Sequence, residues 1–230
     1  MPKRSGSKLV CTLLAAATVL IALAPAASAK SQRPPKPRTP DPLAILAKQT
    51  LDAFVLTYSS PRSRPADPDG GALFSAAMDT DTDAQYASFR SGLAAVVASR
   101  VQSTTADKLD SAWATTPTNR MMVILSALSQ VGTPYRWGAE QAGQAFDCSG
   151  LTQWSWSQVG IDLPRSAWGQ IHHVVRRSPL QLQAGDLVYH YDHVSLYLGA
   201  GDVVISAPQH GKVVEVRDWR RELRFGSPLG

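Results

Sequence analysis

The stretch Phe146-Asp147-Cys148-Ser149-Gly150-Leu151-Thr152-Gln153-Trp154 reads as the start of a helix with a thiol in its first turn. Asp147 is a good N-cap, because a short carboxylate accepts hydrogen bonds from the free amides that open a helix. The helix-compatible run extends to Val159, and Gly160 closes it. Helix dipole and free amides favour negative charge at Cys148. The expectation is a thiol that ionises below the ~8.5 of a free cysteine. The same amides suit a developing oxyanion. A small buried cysteine opening a core helix is the plainer alternative.

Cys148 has one companion in the sequence, Cys11, and that residue lies in a different kind of segment. Lys3, Arg4 and Lys8 form a basic start, Leu9 to Ala24 is apolar, and Ala27-Ser28-Ala29 is an A-x-A cleavage signal. Residues 1–29 are therefore expected to be a secretion signal. Its removal leaves Cys148 as a lone thiol in an exported chain, either tolerated, paired between chains, or used. It also takes away three basic residues, so a net charge of +5 falls to +2. That balance gives little support to a nucleic-acid partner. Arg176-Arg177 and Arg220-Arg221 read as solvated faces. No other segment approaches the ~20 apolar residues of a span, so no membrane anchor is expected after cleavage.

Residues 30–42, with Pro34, Pro35, Pro37, Pro40 and Pro42, read as an extended tether. Residues 43–116 are helical in pattern, a spacer or interaction region. Asp41-Pro42 opens a first helix with Leu43, Leu46, Leu51 and Phe54 on its face, and Ser60 to Gly71 reads as a loop. A second helix is expected from about Asp83 to Val101, and a short third from Ala106 to Trp113. Asp79, Asp81 and Asp83 alternate like calcium ligands, but the glycine and glutamate of a calcium loop are missing, so they read as the N-terminal cap of a helix. A further helix, about Asn119 to Val131, opens residues 117–230, where the chemistry lies.

A cysteine nucleophile needs a base, usually histidine. All five histidines follow residue 170. His193 is the best placed, because it opens Val194-Ser195-Leu196-Tyr197-Leu198, a strand by its period-two alternation. Val194, Leu196 and Leu198 would face the core, with His193, Ser195 and Tyr197 on the other face. The chain to Arg217 continues as an antiparallel meander. His172 and His173 read as surface residues. His190 and His193 form H-x-x-H, but neither Cys-x-x-Cys nor His-Glu-x-x-His is present, so neither a metal nor another cofactor is expected.

Six ordered landmarks resemble the NlpC family of papain-like cell-wall cysteine peptidases. They are Gly132-Thr133-Pro134-Tyr135-Arg136-Trp137-Gly138, Asp147 to Leu151, Leu163-Pro164-Arg165-Ser166, Ala184-Gly185-Asp186-Leu187-Val188, His193 to Gly199, and Ala207-Pro208. The resemblance covers residues 117–230. It implies an α+β fold with the nucleophile helix packed on an antiparallel sheet, preceded by the helical region. It implies hydrolysis of peptidoglycan stem peptides, typically between D-isoglutamate and the diamino acid. Carried over, Cys148 would be the nucleophile, His193 the base and then acid, and Tyr135 an aid to the oxyanion or substrate. Asp147 and Ser149 would line the pocket for the free amino end of the stem, and Arg165 would border the cleft. The family usually places His, Asn, Gln or Glu before the Ala-Pro pair to orient the imidazole. Here the residue is Ser206, with Gln209 and His210 as substitutes. A peptidoglycan-binding module with weak or no catalysis is the competing reading. A cell-wall or divisome protein is the expected partner of the helical region.

Overall fold

The computed structural model describes residues 39–59, 71–219 and 223–229. The expected signal (1–29), most of the tether (30–42) and most of the Ser60 to Gly71 loop lie outside the described residues. No described helix is long and apolar enough to cross a membrane.

Helix α1 (Pro42–Ser59) begins where Asp41 Oδ1 accepts the Leu43 amide at 2.9 Å. Its buried stripe is Leu43, Ala47, Thr50, Phe54 and Thr57, while Leu46 and Leu51 are only half-buried. Two threonines therefore share the expected leucine face. They are tolerated because each hydroxyl is satisfied, Thr50 at the Leu46 carbonyl (2.8 Å) and Thr57 at the Thr82 carbonyl (3.2 Å). Helix α2 (Gly71–Ala98) starts a full three turns before the expected Asp83. Helix α3 (Ala106–Ala114) is capped by Thr105, and helix α4 (Thr118–Leu128) is buried on nearly every side.

Residues 43–116 do not stand apart from residues 117–230. One continuous core runs from Leu43, Phe54, Leu93 and Trp113 through the α4 side chains to Leu151, Val194 and Leu196. Polar contacts tie the same helices to the sheet. Trp113 donates its indole N–H to the Leu198 carbonyl at 2.6 Å, and the Gln102 amide donates to Asp218 at 2.8 Å. Arg100 pairs with Asp41, which closes the α1–α2 hairpin.

After α4 come a two-strand ribbon, β1 (Glu140–Gln141) and β2 (Ala145–Phe146), then α5 (Cys148–Ser157) and α6 (Ala167–His173). The sheet follows: β3 (Val175–Arg177), β4 (Leu187–His190), β5 (His193–Tyr197), β6 (Val203–Ser206), β7 (Glu215–Asp218) and β8 (Arg224–Ser227). Its order is β3-β8-β4-β5-β6-β7, antiparallel throughout. The fold is α+β. On β5 the period-two pattern puts Val194 and Leu196 in the main core with α5. Tyr197, with Val188 and Val204, forms a second cluster on the opposite face.

A buried ion pair joins α4 to the sheet. Arg120 is 2 % exposed and Asp186 fully buried, with Nη1 to Oδ1 at 2.8 Å. The guanidinium also donates to the Ala184 carbonyl (2.9 Å) and Ser227 Oγ (2.6 Å) and lies over Trp156. Asp186 Oδ2 accepts the Gln183 amide at 2.9 Å. The Ala184-Gly185-Asp186 landmark is thus an anchor for a cation that arrives from α4. Removing one partner of such a pair strands a buried charge, at a cost of about 3–5 kcal/mol. Arg120→Met should lose that much in urea unfolding, and a loss below about 1 kcal/mol would contradict the anchoring role.

Candidate active site

The start of α5 is fixed by Asp147. Its Oδ1 accepts the Gly150 amide at 2.7 Å, the expected N-cap bond, and its Oδ2 accepts the Gly138 amide at 2.8 Å. Gly150 is required by space, because a Cβ there would collide with the Ala139 carbonyl. Cys148 follows the cap and is 9 % exposed. Its Sγ points at the carbonyl of Asp192 at 4.0 Å.

The amides of Val194, Ser149 and Cys148 itself favour the thiolate, as the helix start suggests. Burial is the larger effect, and the Asp147 charge adds to it, so the thiol is pushed up, not down. The expectation of a thiol that ionises below the ~8.5 of a free cysteine is corrected on this ground. The sequence shows the helix start but not how deeply the sulfur is packed.

Arg165 closes a bidentate fork on Asp147, Nη1 to Oδ1 at 2.9 Å and Nη2 to Oδ2 at 2.7 Å. Nη1 also donates to Ser149 Oγ at 2.9 Å, and Nε faces Glu140 at 3.1 Å. Ser149 donates to Asp147 Oδ1 at 3.2 Å. Despite its burial, Asp147 is held below the usual carboxylate range by the Arg165 guanidinium and the Gly150 and Gly138 amides. Asp147, Ser149 and Arg165 therefore form one closed network. Asp147 has no acceptor site left for a free amine unless Arg165 moves. Tyr135 stands in the same electrostatic neighbourhood, its phenol raised by burial first and then by Cys148 and Asp147.

His193 opens β5, and its Nε2 lies 2.6 Å from Ser206 Oγ. Ser195 Oγ is 3.4 Å from the same nitrogen. Of the three candidates Ser206 is the one that bonds the imidazole, while Gln209 and His210 are exposed and do not. The bond to Ser206 leaves Nδ1 as the nitrogen free to act. No hydrogen bond joins the imidazole to the thiol. Instead the sulfur sits against the backbone on either side of His193, at the Asp192 carbonyl and the Val194 amide. His172 and His173 are exposed, as expected.

Two features here escape a reading of the sequence. Tyr191 and Asp192 both have positive φ, 42° and 57°, in the two-residue turn between β4 and β5. Such turns favour Asn-Gly or Asp-Gly, so Tyr-Asp gives no warning. The turn is held by Tyr189, whose hydroxyl donates to Asp192 Oδ1 at 2.9 Å. Arg217 is the second. It shares with His190, His193 and Ser195 a cavity of about 410 Å³ on the sheet face away from α5. Burial, then Arg217, then His190 press the His193 imidazole down to about 4, so it is neutral near pH 7. Among the described residues no group of three or more His, Cys, Asp or Glu is placed to hold a metal.

A native imidazole at about 4 against ~6.5 unfolded takes up fewer protons than the unfolded chain. Its stabilising contribution is complete above about pH 6.5 and is lost as pH falls from there toward 4. Denaturation midpoints across that window should fall with acid, and His193→Gln should flatten the slope; an unchanged slope would contradict the buried neutral imidazole. The alkylation rate of Cys148 should titrate above the ~8.5 of a free thiol, and a midpoint below it would contradict burial as the dominant effect.

Residues 132–223 match the model of the NlpC/P60 family. A Corynebacterium glutamicum protein named "Probable endopeptidase Cgl2188" is 42 % identical over 85 residues, 36 % of this chain and 40 % of that one. A bifunctional muramidase/DL-endopeptidase of Bacillus subtilis is 41 % identical over 87 residues, 34 % of this chain and 26 % of that one. The chain thus spans less than half the length of these curated relatives. The solved P60 domain of a Mycobacterium avium subspecies paratuberculosis antigen is 26 % identical, covers 49 % of this chain and 96 % of that one, and has a TM-score of 0.45. With the fold and the ordered landmarks, the sequence match identifies residues 132–223 as an NlpC/P60 domain.

Proposed function

We propose that this chain is a secreted cysteine endopeptidase that hydrolyses peptidoglycan stem peptides during cell-wall remodelling. The observation that carries the reading is the thiol at the start of α5, packed against the backbone on either side of His193, whose Nε2 is held by Ser206. The relatives named endopeptidases support it, and the B. subtilis name suits a bond between D-isoglutamate and the diamino acid.

The resting pair is a neutral thiol and a neutral imidazole, so proton transfer belongs to the attack itself. Nδ1 takes the thiol proton as Sγ adds to the scissile carbonyl carbon. This step requires Nδ1 and Sγ to close the gap of the resting structure. Amides of the first turn of α5, with Tyr135, hold the oxyanion. Collapse breaks the C–N bond, and the imidazolium returns its proton to the departing amine, leaving a thioester. Water then gives a proton to Nδ1 and attacks the thioester, which releases the acid and restores the thiol. An open groove of about 550 Å³, lined by Trp168, Tyr189, His190, Tyr191, Asp192 and Arg224, is the proposed path of the stem. It shares Asp192 with the thiol contact. The helical residues 43–116 brace this domain and offer a surface to a wall or divisome partner.

The second reading is a binding module with little catalysis. It is favoured by the weak base and by the serine that stands where a stronger orienting group is usual. Incubation of the protein with muropeptides and mass spectrometry of the products separates the two. Cleaved stems that disappear in Cys148→Ala support the enzyme; binding without cleavage, unchanged in that variant, supports the module. Given cleavage, Ser206→Ala should lower kcat about tenfold or more through loss of ring orientation, a part of the 10²–10⁴ that an acid–base group supplies. Ser206→Asp should move the acid limb of the pH–rate profile upward, since an adjacent carboxylate favours the imidazolium. A limb that stays in place would contradict Ser206 as the orienting residue.

A further inference from the structure

At the far edge of the sheet from β7, three arginines face one pocket. Arg176 and Arg177 come from edge strand β3 and Arg224 from β8, around a cavity of about 410 Å³ floored by Ile171, Val174 and Phe225. Arg176 is registered opposite Gly226, so Arg224, two residues along, lies diagonally beside it on the same sheet face. The face above Gly226 is filled by Val174 and Ile171, which form the apolar part of the pocket. Arg177 donates Nη2 to the Leu229 carbonyl at 3.3 Å, but its Nε is buried with no partner. A buried donor left unpaired is costly. Among the described residues no carboxylate pairs with any of the three; the ion pairs lie elsewhere. His172, stacked on Trp168, completes the rim. Like charges thus line one concavity with no counter-ion among the described residues.

A solvated basic face, the expectation for Arg176-Arg177, accounts for neither the cavity nor the buried Nε. Guanidinium forks match phosphate and carboxylate oxygens bidentately. Three of them exceed the single charge of a carboxylate and suit phosphate, above all a repeating one. We propose that this pocket binds phosphate groups, presented by a phosphodiester polymer of the cell envelope, and so holds the domain on its substrate matrix. The site does not include Cys148 but adjoins the proposed stem groove, with which it shares Arg224, and the envelope setting rests on the proposed function. Phosphate in the pocket would relieve the repulsion among the guanidiniums that line it.

The test is calorimetric titration of the whole chain with inorganic phosphate and, separately, poly(glycerol phosphate), at about 0.15 M salt, where weak surface attractions are screened. Both should bind, the polymer more tightly. Arg176→Ala with Arg224→Ala, both exposed positions, should weaken binding at least tenfold, and the corresponding lysine pair should recover most polymer binding but not that of inorganic phosphate. Cys148→Ala should bind as the parent does, so failure to hydrolyse stems and failure to bind phosphate are told apart. Phosphate binding without polymer binding would keep the phosphate site and remove the polymer as its source. No binding of either, or equal binding by the double alanine variant, would overturn the proposal.

Discussion

One carboxylate organises the domain around its candidate site. Asp147 caps α5 through the Gly150 amide, holds the 138–140 segment through the Gly138 amide, and grips Arg165 from the loop before α6. Three separate segments are thus registered to the residue next to Cys148. A charge at 5 % exposure is tolerable only because donors meet both of its oxygens. Loss of any one donor would shift the helix start, and with it the thiol and the amides proposed to hold an oxyanion.

The same network sets the electrostatics of the thiol. Burial opposes the thiolate most, and the anion at the cap opposes it further. On the other side of the β5 backbone, burial and then Arg217 and His190 oppose a cation on His193. Each group is kept neutral by its own neighbours. The thiol and the imidazole therefore both rest neutral. Ser206 fits this arrangement, because a hydroxyl can fix the ring without adding a charge to stabilise the imidazolium.

Much of this was legible in sequence. Asp147 before a helical run announced the cap, and the alternation from His193 to Leu198 announced a strand with Val194 and Leu196 on its core face; both are as observed, though the other face is buried as well. The order of landmarks gave the α+β fold. What stayed hidden depends on packing between distant segments. Arg165 and Asp147 are 18 residues apart, and only the fold shows that the arginine fills the acceptor sites read as an amine pocket. The start of α2 was masked by Asp79, Asp81 and Asp83, which resemble a cap cluster but fall within the helix. The Tyr191-Asp192 turn broke the residue preferences of its class. The burial that raises Cys148 is a property of the whole core.

The account turns on His193 resting neutral with Nδ1 available. NMR titration of its imidazole in the intact protein, with ring tautomer read from the nitrogen shifts, tests this most directly. The predicted result is a midpoint of about 4 and, at neutral pH, a proton on Nε2 toward Ser206 with Nδ1 bare. A midpoint at or above the ordinary ~6.5, or a proton on Nδ1, would contradict it.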